Sequence, residues 1–251
     1  MNLTKSILAS TLALSLCGVA VAADEKLEPW QQAQKTEVWE PEPAMVSAPA
    51  GGVPSDAVVL VGNGDLSQWE GAKGGAAQWV LNNGEMTVKP GTGSIKTKQS
   101  FCDVQLHVEW KTPADNIEGK EGQERNNSGV FLQQRYEIQV LDSYNNRTYS
   151  NGQAAALYKQ SIPLVNASRP PGQWQTYDII FSSPEFKDEK RVRPGYVTVL
   201  HNGVLVQNHV EIQGASAWIG PPTNEPHGCA PIMLQDHGNP VSFRNMWVRK
   251  L

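Results

Sequence analysis

The chain has 251 residues, a formal net charge of −4 and only 18% charged residues, while Gly (22), Pro (17) and Trp (8) are plentiful. A weakly acidic chain gives no electrostatic footprint for nucleic acid. After the N-terminal leader no apolar run is long enough to span a bilayer. Frequent turn residues, amide-rich stretches and spare Trp suit a secreted all-β protein that handles sugar.

Lys5, the apolar run Ile7 to Val21 and the small-x-small triplet Ala20-Val21-Ala22 predict a secretory signal peptide over residues 1–22, cleaved after Ala22, and hence a periplasmic or secreted protein. Cys17 follows Leu16 where a lipoprotein site needs a small residue, which argues against lipidation. Residues 23–56 carry Pro29, Pro41, Pro43, Pro49, Pro54 and Gly51-Gly52 with no sustained period, so they read as an arm or linker that Trp30 and Trp39 could pin to the domain. A single domain is expected over residues 57–251.

Within it the chain is strand and turn. Val58 to Val61 is a short apolar strand. Trp79-Val80-Leu81 and Met86-Thr87-Val88 flank Asn82-Asn83-Gly84-Glu85, a hairpin signal. Ile95 to Thr97 follows. In Phe101 to Lys111, Val104, Leu106, Val108 and Trp110 share one parity, and Gln105, His107, Glu109 and Lys111 the other. Residues 113 to 127 read as a charged loop. Val130 to Asp142 then alternates as one long strand: Val130, Leu132, Tyr136, Ile138 and Val140 point to a core, and Gln133, Arg135, Glu137 and Gln139 to the opposite, polar face. Trp174 to Phe181, the pair Tyr196–Leu200 and Val204–Val206 around His201-Asn202-Gly203, then Ile232–Leu234 and Val241–Val248 close the domain. About a dozen strands without a helix beyond two turns predict a sandwich or barrel.

Glu137-x-Gln139-x-x-Asp142 resembles the carboxylate row of laminarinase-type glycosidases, which use two acids. A bulge after Gln139 would bring Asp142 onto the face of Glu137, but the central acid is an amide, which argues against double displacement. If both polar faces lined one concavity, His107, Glu109, Glu137 and His237 would converge, a donor set suited to a divalent metal such as zinc or manganese; a surface ion pair is the plainer reading. Asp236 beside His237 can set an imidazole tautomer for general-base work, or simply cap a turn. His227 lies close enough in sequence to join them. Gln235, Arg135 and Arg244 are candidate partners for sugar hydroxyls, although surface pairing is the default for such arginines. Cys102 and Cys229 either form a disulfide or remain separate thiols. Phosphate-loop, dinucleotide and serine-hydrolase motifs are absent from the sequence.

Six ordered motifs belong together: Gly62-Asn63-Gly64-Asp65-Leu66-Ser67-Gln68-Trp69, Asn127-Ser128-Gly129-Val130-Phe131, Tyr136 to Asp142, Gly172 to Tyr177, Asn202-Gly203, and Leu234-Gln235-Asp236-His237-Gly238 through Phe243-Arg244-Asn245. Over residues 57 to 251 the chain closely resembles the bacterial 3-keto-disaccharide hydrolase domain family. The resemblance implies a concanavalin-like jelly-roll β-sandwich. It also implies a substrate already oxidised to a ketone at C3, cleaved by elimination across C1–C2 and then hydrated. On that chemistry His237 or Glu137 is expected as base, Asp236 as the residue orienting His237, and a divalent metal or Arg135 as stabiliser of the enolate. The rivals are a non-catalytic carbohydrate-binding module and a conventional hydrolase using Glu137 and Asp142.

Overall fold

The computed structural model describes residues 27–62, 64–115 and 117–251; the expected signal peptide, with Cys17, lies outside them. Among the described residues fifteen strands run in chain order: β1 (Val58–Val61), β2 (Trp69–Gly71), β3 (Val80–Asn82), β4 (Glu85–Thr87), β5 (Ile95–Phe101), β6 (Val104–Lys111), β7 (Ser128–Leu132), β8 (Tyr136–Val140), β9 (Gln175–Ser182), β10 (Glu185–Lys187), β11 (Lys190–Arg193), β12 (Gly195–His201), β13 (Val204–Ile212), β14 (Ala230–Leu234) and β15 (Ser242–Lys250). They form two large antiparallel sheets and a separate two-stranded ribbon, β10–β11. The larger has the order β13-β12-β9-β6-β15-β4-β3 with β1 added on β15, and the smaller has the order β2-β5-β14-β7-β8.

Strict alternation explains why they stack. Val104, Leu106, Val108 and Trp110 of β6 and Tyr177, Ile179 and Phe181 of β9 are buried, as are Val130 and Leu132 of β7, Tyr136, Ile138 and Val140 of β8, and Ile232 and Leu234 of β14. All but a few of the buried apolar side chains join one core cluster between the sheets. Each fully buried Leu, Ile or Phe there contributes about 1.5–3 kcal/mol. The Tyr177 hydroxyl, buried in that core, donates across it to the Gln139 backbone oxygen at 2.7 Å, so burial leaves no orphaned phenol. The fold is therefore the all-β, jelly-roll-like sandwich that the sequence predicts.

The Asn83-Gly84 and Asn202-Gly203 turns close the β3–β4 and β12–β13 hairpins with positive φ at both residues, as a type I′ turn requires. The predicted long strand does not form. Val130 to Asp142 is a hairpin: Leu132 pairs with Tyr136, Phe131 with Glu137 and Gly129 with Gln139. The chain reverses at Gln133 and Gln134, with φ of 52° and 58°, and the Arg135 N–H donates to Leu132 O at 3.0 Å. Because Leu132 and Tyr136 stand opposite one another, the core face is the one predicted even though the strand is broken. The turn residues leave the polar face.

Cys102, in the link from β5 to β6, is bonded to Cys229, just ahead of β14. Residues 46–251 form one compact unit; Ser47 and Ser55 are hydrogen-bonded within it, and Asp56 pairs with Arg249. The described residues before Val46 belong to a separate unit. They include a six-residue helix, α1 (Pro29–Gln34), and Trp30 and Trp39 are exposed. No helix among the described residues is long and apolar enough to cross a membrane.

Candidate active site

The outer face of the smaller sheet carries a cleft of about 640 Å³. Strands β7 and β8 supply its floor, with Phe131, Glu137 and Gln139. Its walls come from four loops: Gln123, Glu124 and Asn127 before β7, Tyr149 and Tyr158 after β8, Ser216 and Trp218 after β13, and Gln235 and His237 after β14.

Glu137 sits deepest among the charged groups, with 5% of its surface exposed. Burial pushes its carboxyl up to about 8, because the ionised form loses water and gains no cation in exchange. It therefore holds its proton at neutral pH. Gly129 makes the room. A Cβ at that position would stand 2.5 Å from Glu137 Oε1 and 2.7 Å from the Phe131 ring, so any larger residue would have to push the carboxyl or the ring out of place.

The free edge of β8 is taken up by the segment Ala154–Tyr158. Ala155 N–H donates to Gln139 O, Gln139 N–H to Ala156 O, and Tyr158 N–H to Glu137 O. That pairing delivers Tyr158 to the cleft, where its hydroxyl lies 2.7 Å from that of Tyr149. One hydrogen bond joins the two phenols, which leaves one O–H to donate to a ligand. Burial, the Tyr149 hydroxyl and the nearby Glu137 carboxyl all keep Tyr158 protonated. The Ser216 hydroxyl accepts from Glu137 N–H at 3.1 Å, and the Gln235 side-chain oxygen is buried without a partner among the described residues. Trp218 stands 74% exposed at the mouth, its backbone oxygen held by Lys159 Nζ at 2.6 Å.

Of the residues singled out by sequence, Glu137, Gln139, Gln235 and His237 meet in this cleft. Asp236 lies beside it, but its oxygens accept the backbone N–H groups of Gly93 and Gly238 at 2.9 Å each, so it caps the turn and does not orient His237. Gln133 is buried in the β7–β8 turn, where its amide donates to Phe101 O and Ser183 Oγ. Arg135, in the same turn, donates to Gln133 O. No bulge follows Gln139. Asp142 lies buried against Arg125, 2.8 Å from its Nε, so the Glu137–Asp142 carboxylate pair does not exist. Desolvation raises the Asp142 carboxyl despite that partner, and its contact with Arg125 anchors the loop.

His107, Glu109 and Arg244 project from the far side of the larger sheet. Their strands turn the opposite parity to the core, so the two polar faces look away from each other rather than into one concavity. His107 Nδ1 is 2.7 Å from Asp178 and Glu109 is 2.6 Å from Arg244 Nε, and Arg244 stacks over Trp174. Among the described residues no three His, Cys, Asp or Glu side chains gather as metal ligands. His227 is also elsewhere, bonded to the Tyr136 hydroxyl beside a second cleft, of about 770 Å³, at the disulfide.

Sequence reasoning missed Gln123, Glu124, Phe131, Tyr149, Tyr158, Ser216 and Trp218. Most come from loops, where no periodicity marks a facing side chain. Gly129 inside a strand pattern was the one usable signal, since glycine there marks a close approach.

The profile described as a 3-keto-alpha-glucoside-1,2-lyase-like domain matches residues 56–249. A crystal structure from Parabacteroides distasonis ATCC 8503, described as a "putative glycosyl hydrolase", shares 50% sequence identity, with 87% of this chain and 96% of that one covered and a TM-score of 0.82. A second from the same organism, described in the same words, shares 20% identity over 80% of this chain and 95% of that one with a TM-score of 0.57, a likeness of fold alone. Among curated proteins none matches this sequence.

Proposed function

Because the chain belongs to the 3-keto-alpha-glucoside-1,2-lyase-like domain family, and is thereby a glycosyl hydrolase-like, carbohydrate-active domain, we propose that it cleaves 3-keto-glycosides by elimination followed by hydration. The observation that carries the reading is the Glu137 carboxyl buried on the cleft floor, its pKa pushed up by that burial, in the same cleft as His237. A conventional retaining hydrolase needs a second carboxylate about 5 Å away, and Asp142 is committed to Arg125. An elimination needs only one acid and one base.

In this scheme the C3 ketone acidifies C2–H. His237 takes that proton as general base, and the electron pair moves onto the C3 oxygen as an enolate. The spare O–H of the Tyr149–Tyr158 pair and the side-chain amide of Gln235 are donors for that oxygen. Collapse of the enolate forms the C1=C2 double bond and expels the C1 substituent, whose oxygen receives the proton of Glu137. Water then adds at C1, giving a proton to the Glu137 carboxylate while C2 recovers one from His237. Both residues end as they began, and the net change is hydrolysis. The same reading has the protein acting in the periplasm or outside the cell, which the expected signal peptide and the Cys102–Cys229 bond support.

The test is incubation of purified protein with a 3-keto-glucoside and with its unoxidised parent, following aglycone release with and without chelator. Release from the keto form alone is expected, with Glu137→Gln losing at least 100-fold in rate, on the order of a general-acid contribution, while substrate binding persists. Release from the parent glycoside sinks the elimination scheme. The exposed Trp218 favours one second reading, a carbohydrate-binding module in which that indole is the platform; tight sugar binding with no turnover of either substrate supports it.

A further inference from the structure

Gln139 stands beside the proton donor of this scheme, and a network fixes which end of its amide faces Glu137. One end lies 2.9 Å from Gln123 Oε1 and 3.4 Å from Asn127 Oδ1. The other lies 3.0 Å from Glu137 Oε1 and 3.3 Å from Ser128 O. Nitrogen and oxygen are assigned by their neighbours, and here the neighbours are pinned to the main chain. The Gln123 NH₂ donates to Gly152 O at 2.9 Å and to Thr148 Oγ1 at 3.1 Å, and the Asn127 NH₂ donates to Gln123 O at 3.1 Å. Their side-chain oxygens are thereby turned toward Gln139, which must meet them with its NH₂.

Reversing Gln139 would point N–H at Glu137 Oε1 at 3.0 Å and at Ser128 O at 3.3 Å. It would also set the Gln139 oxygen against Gln123 Oε1 and Asn127 Oδ1. Relief would require both of those amides to turn as well, placing their oxygens on the carbonyls of Gly152 and Gln123. With the buried Glu137 carboxyl protonated, its contact with Gln139 survives in either orientation, so reversal would give up two backbone hydrogen bonds at 2.9 and 3.1 Å for one at 3.3 Å. The Gln139 oxygen therefore faces Glu137 Oε1, and two acceptors 3.0 Å apart are compatible only when a proton lies between them.

We propose that Gln139 is a positioning residue: its amide, locked by Gln123 and Asn127 onto two main-chain carbonyls, presents its oxygen to Glu137 and keeps that side chain a carboxylic acid with its proton in a defined place. This deepens the reading of Glu137 as proton donor and rests on it for its catalytic meaning, though not for its geometry. It also gives a reason for an amide where the laminarinase-type row has an acid. An ionised neighbour would accept the same proton and compete for it, whereas a neutral carbonyl holds the proton without removing it. The titratable groups lining the cleft with Glu137 are Glu124, Tyr149, Tyr158 and His237. Burial already raises the carboxyl, and the hydrogen bond to its neutral form adds to that in the same direction.

The experiment is an infrared titration of the Glu137 carboxyl carbonyl band in full-length protein, assigned by its loss in Glu137→Gln and repeated in Gln123→Leu. Without Gln123 the Gln139 amide is free to turn its NH₂ to the carboxylate, so the midpoint should fall by about one pH unit or more, on the scale of a hydrogen bond to a charged group. The alkaline limb of any pH–rate profile, where the proton donor ionises, should move with it. A midpoint that stays put or rises overturns the proposal, because an amide already donating to the carboxylate predicts that result. If Gln123→Leu does not fold, a neutron structure of the wild-type chain at pH 6 decides. A deuteron on Glu137 directed at the Gln139 oxygen is expected, and ND₂ directed at Glu137 refutes it. Neither readout uses substrate, so failure of the amide lock and failure of the elimination scheme are told apart.

Discussion

In the proposed scheme Glu137 couples catalysis to stability. Its folded value of about 8 lies above the ordinary 4.5, so between these limits the folded chain holds a proton that the unfolded chain has released. Stability from this group is complete below about pH 4.5 and is lost as pH rises through about 8, at about 1.4 kcal/mol for each pH unit between the two values. Urea midpoints of wild-type protein should fall across that window, and those of Glu137→Gln should fall less; parallel curves would mean that Glu137 is ionised and solvated. His201 acts at the other end. Burial lowers its value to about 3, so its contribution is present above about 6.5 and declines as pH falls toward 3. Gly129 is the second residue on which the site turns. Gly129→Ala should leave the circular-dichroism spectrum unchanged and lower the rate at least tenfold, because the new methyl must displace either the Glu137 carboxyl or the Phe131 ring.

At the scale of elements, alternation made most strands legible. β6, β9, β12 and the β3–β4 and β12–β13 hairpins stand where period two and Asn-Gly turns place them. The β7–β8 hairpin was hidden by its chemistry. Gln133-Gln134 is not a turn dipeptide, and its left-handed backbone is imposed by tertiary contacts: the buried Gln133 amide reaches Phe101 O and Ser183 Oγ. A non-glycine residue in that region costs about 1–2 kcal/mol, part of which glycine's unfolded-state entropy would cancel. Gln134→Gly, which leaves the Gln133 contacts alone, should therefore raise stability by up to about 1 kcal/mol in urea unfolding. A clear loss would mean that Gln134 makes contacts worth more than its strain. The short strands β2, β10 and β11 carry too few residues for a period to show.

At the scale of the molecule, the sandwich was legible in the sequence but its sidedness was not. Two polar strand faces, one with His107 and Glu109 and one with Glu137 and Gln139, look alike in one dimension; only stacking decides that they point away from each other. The metal set failed for that reason; the second carboxylate failed because no bulge follows Gln139 and Asp142 is held by Arg125, and the aromatic walls went unseen because loops hold them. The disulfide, left open by sequence, closes a separation of 127 residues. Replacing Cys102 and Cys229 together by Ala should cost about 4–5 kcal/mol on the loop-entropy estimate, read as a lower urea midpoint in the double variant. An unchanged midpoint would place the constraint elsewhere.

The segment Ala154–Tyr158, bonded along β8, has a consequence for self-association. An unpaired outer strand is a template on which another chain can add. Here that docking line is already occupied by the protein's own backbone, and the occupying segment carries one of the cleft's phenols. A foreign strand could pair with β8 only by evicting Tyr158, so any aggregate that grows from this margin would begin with an inactivated molecule.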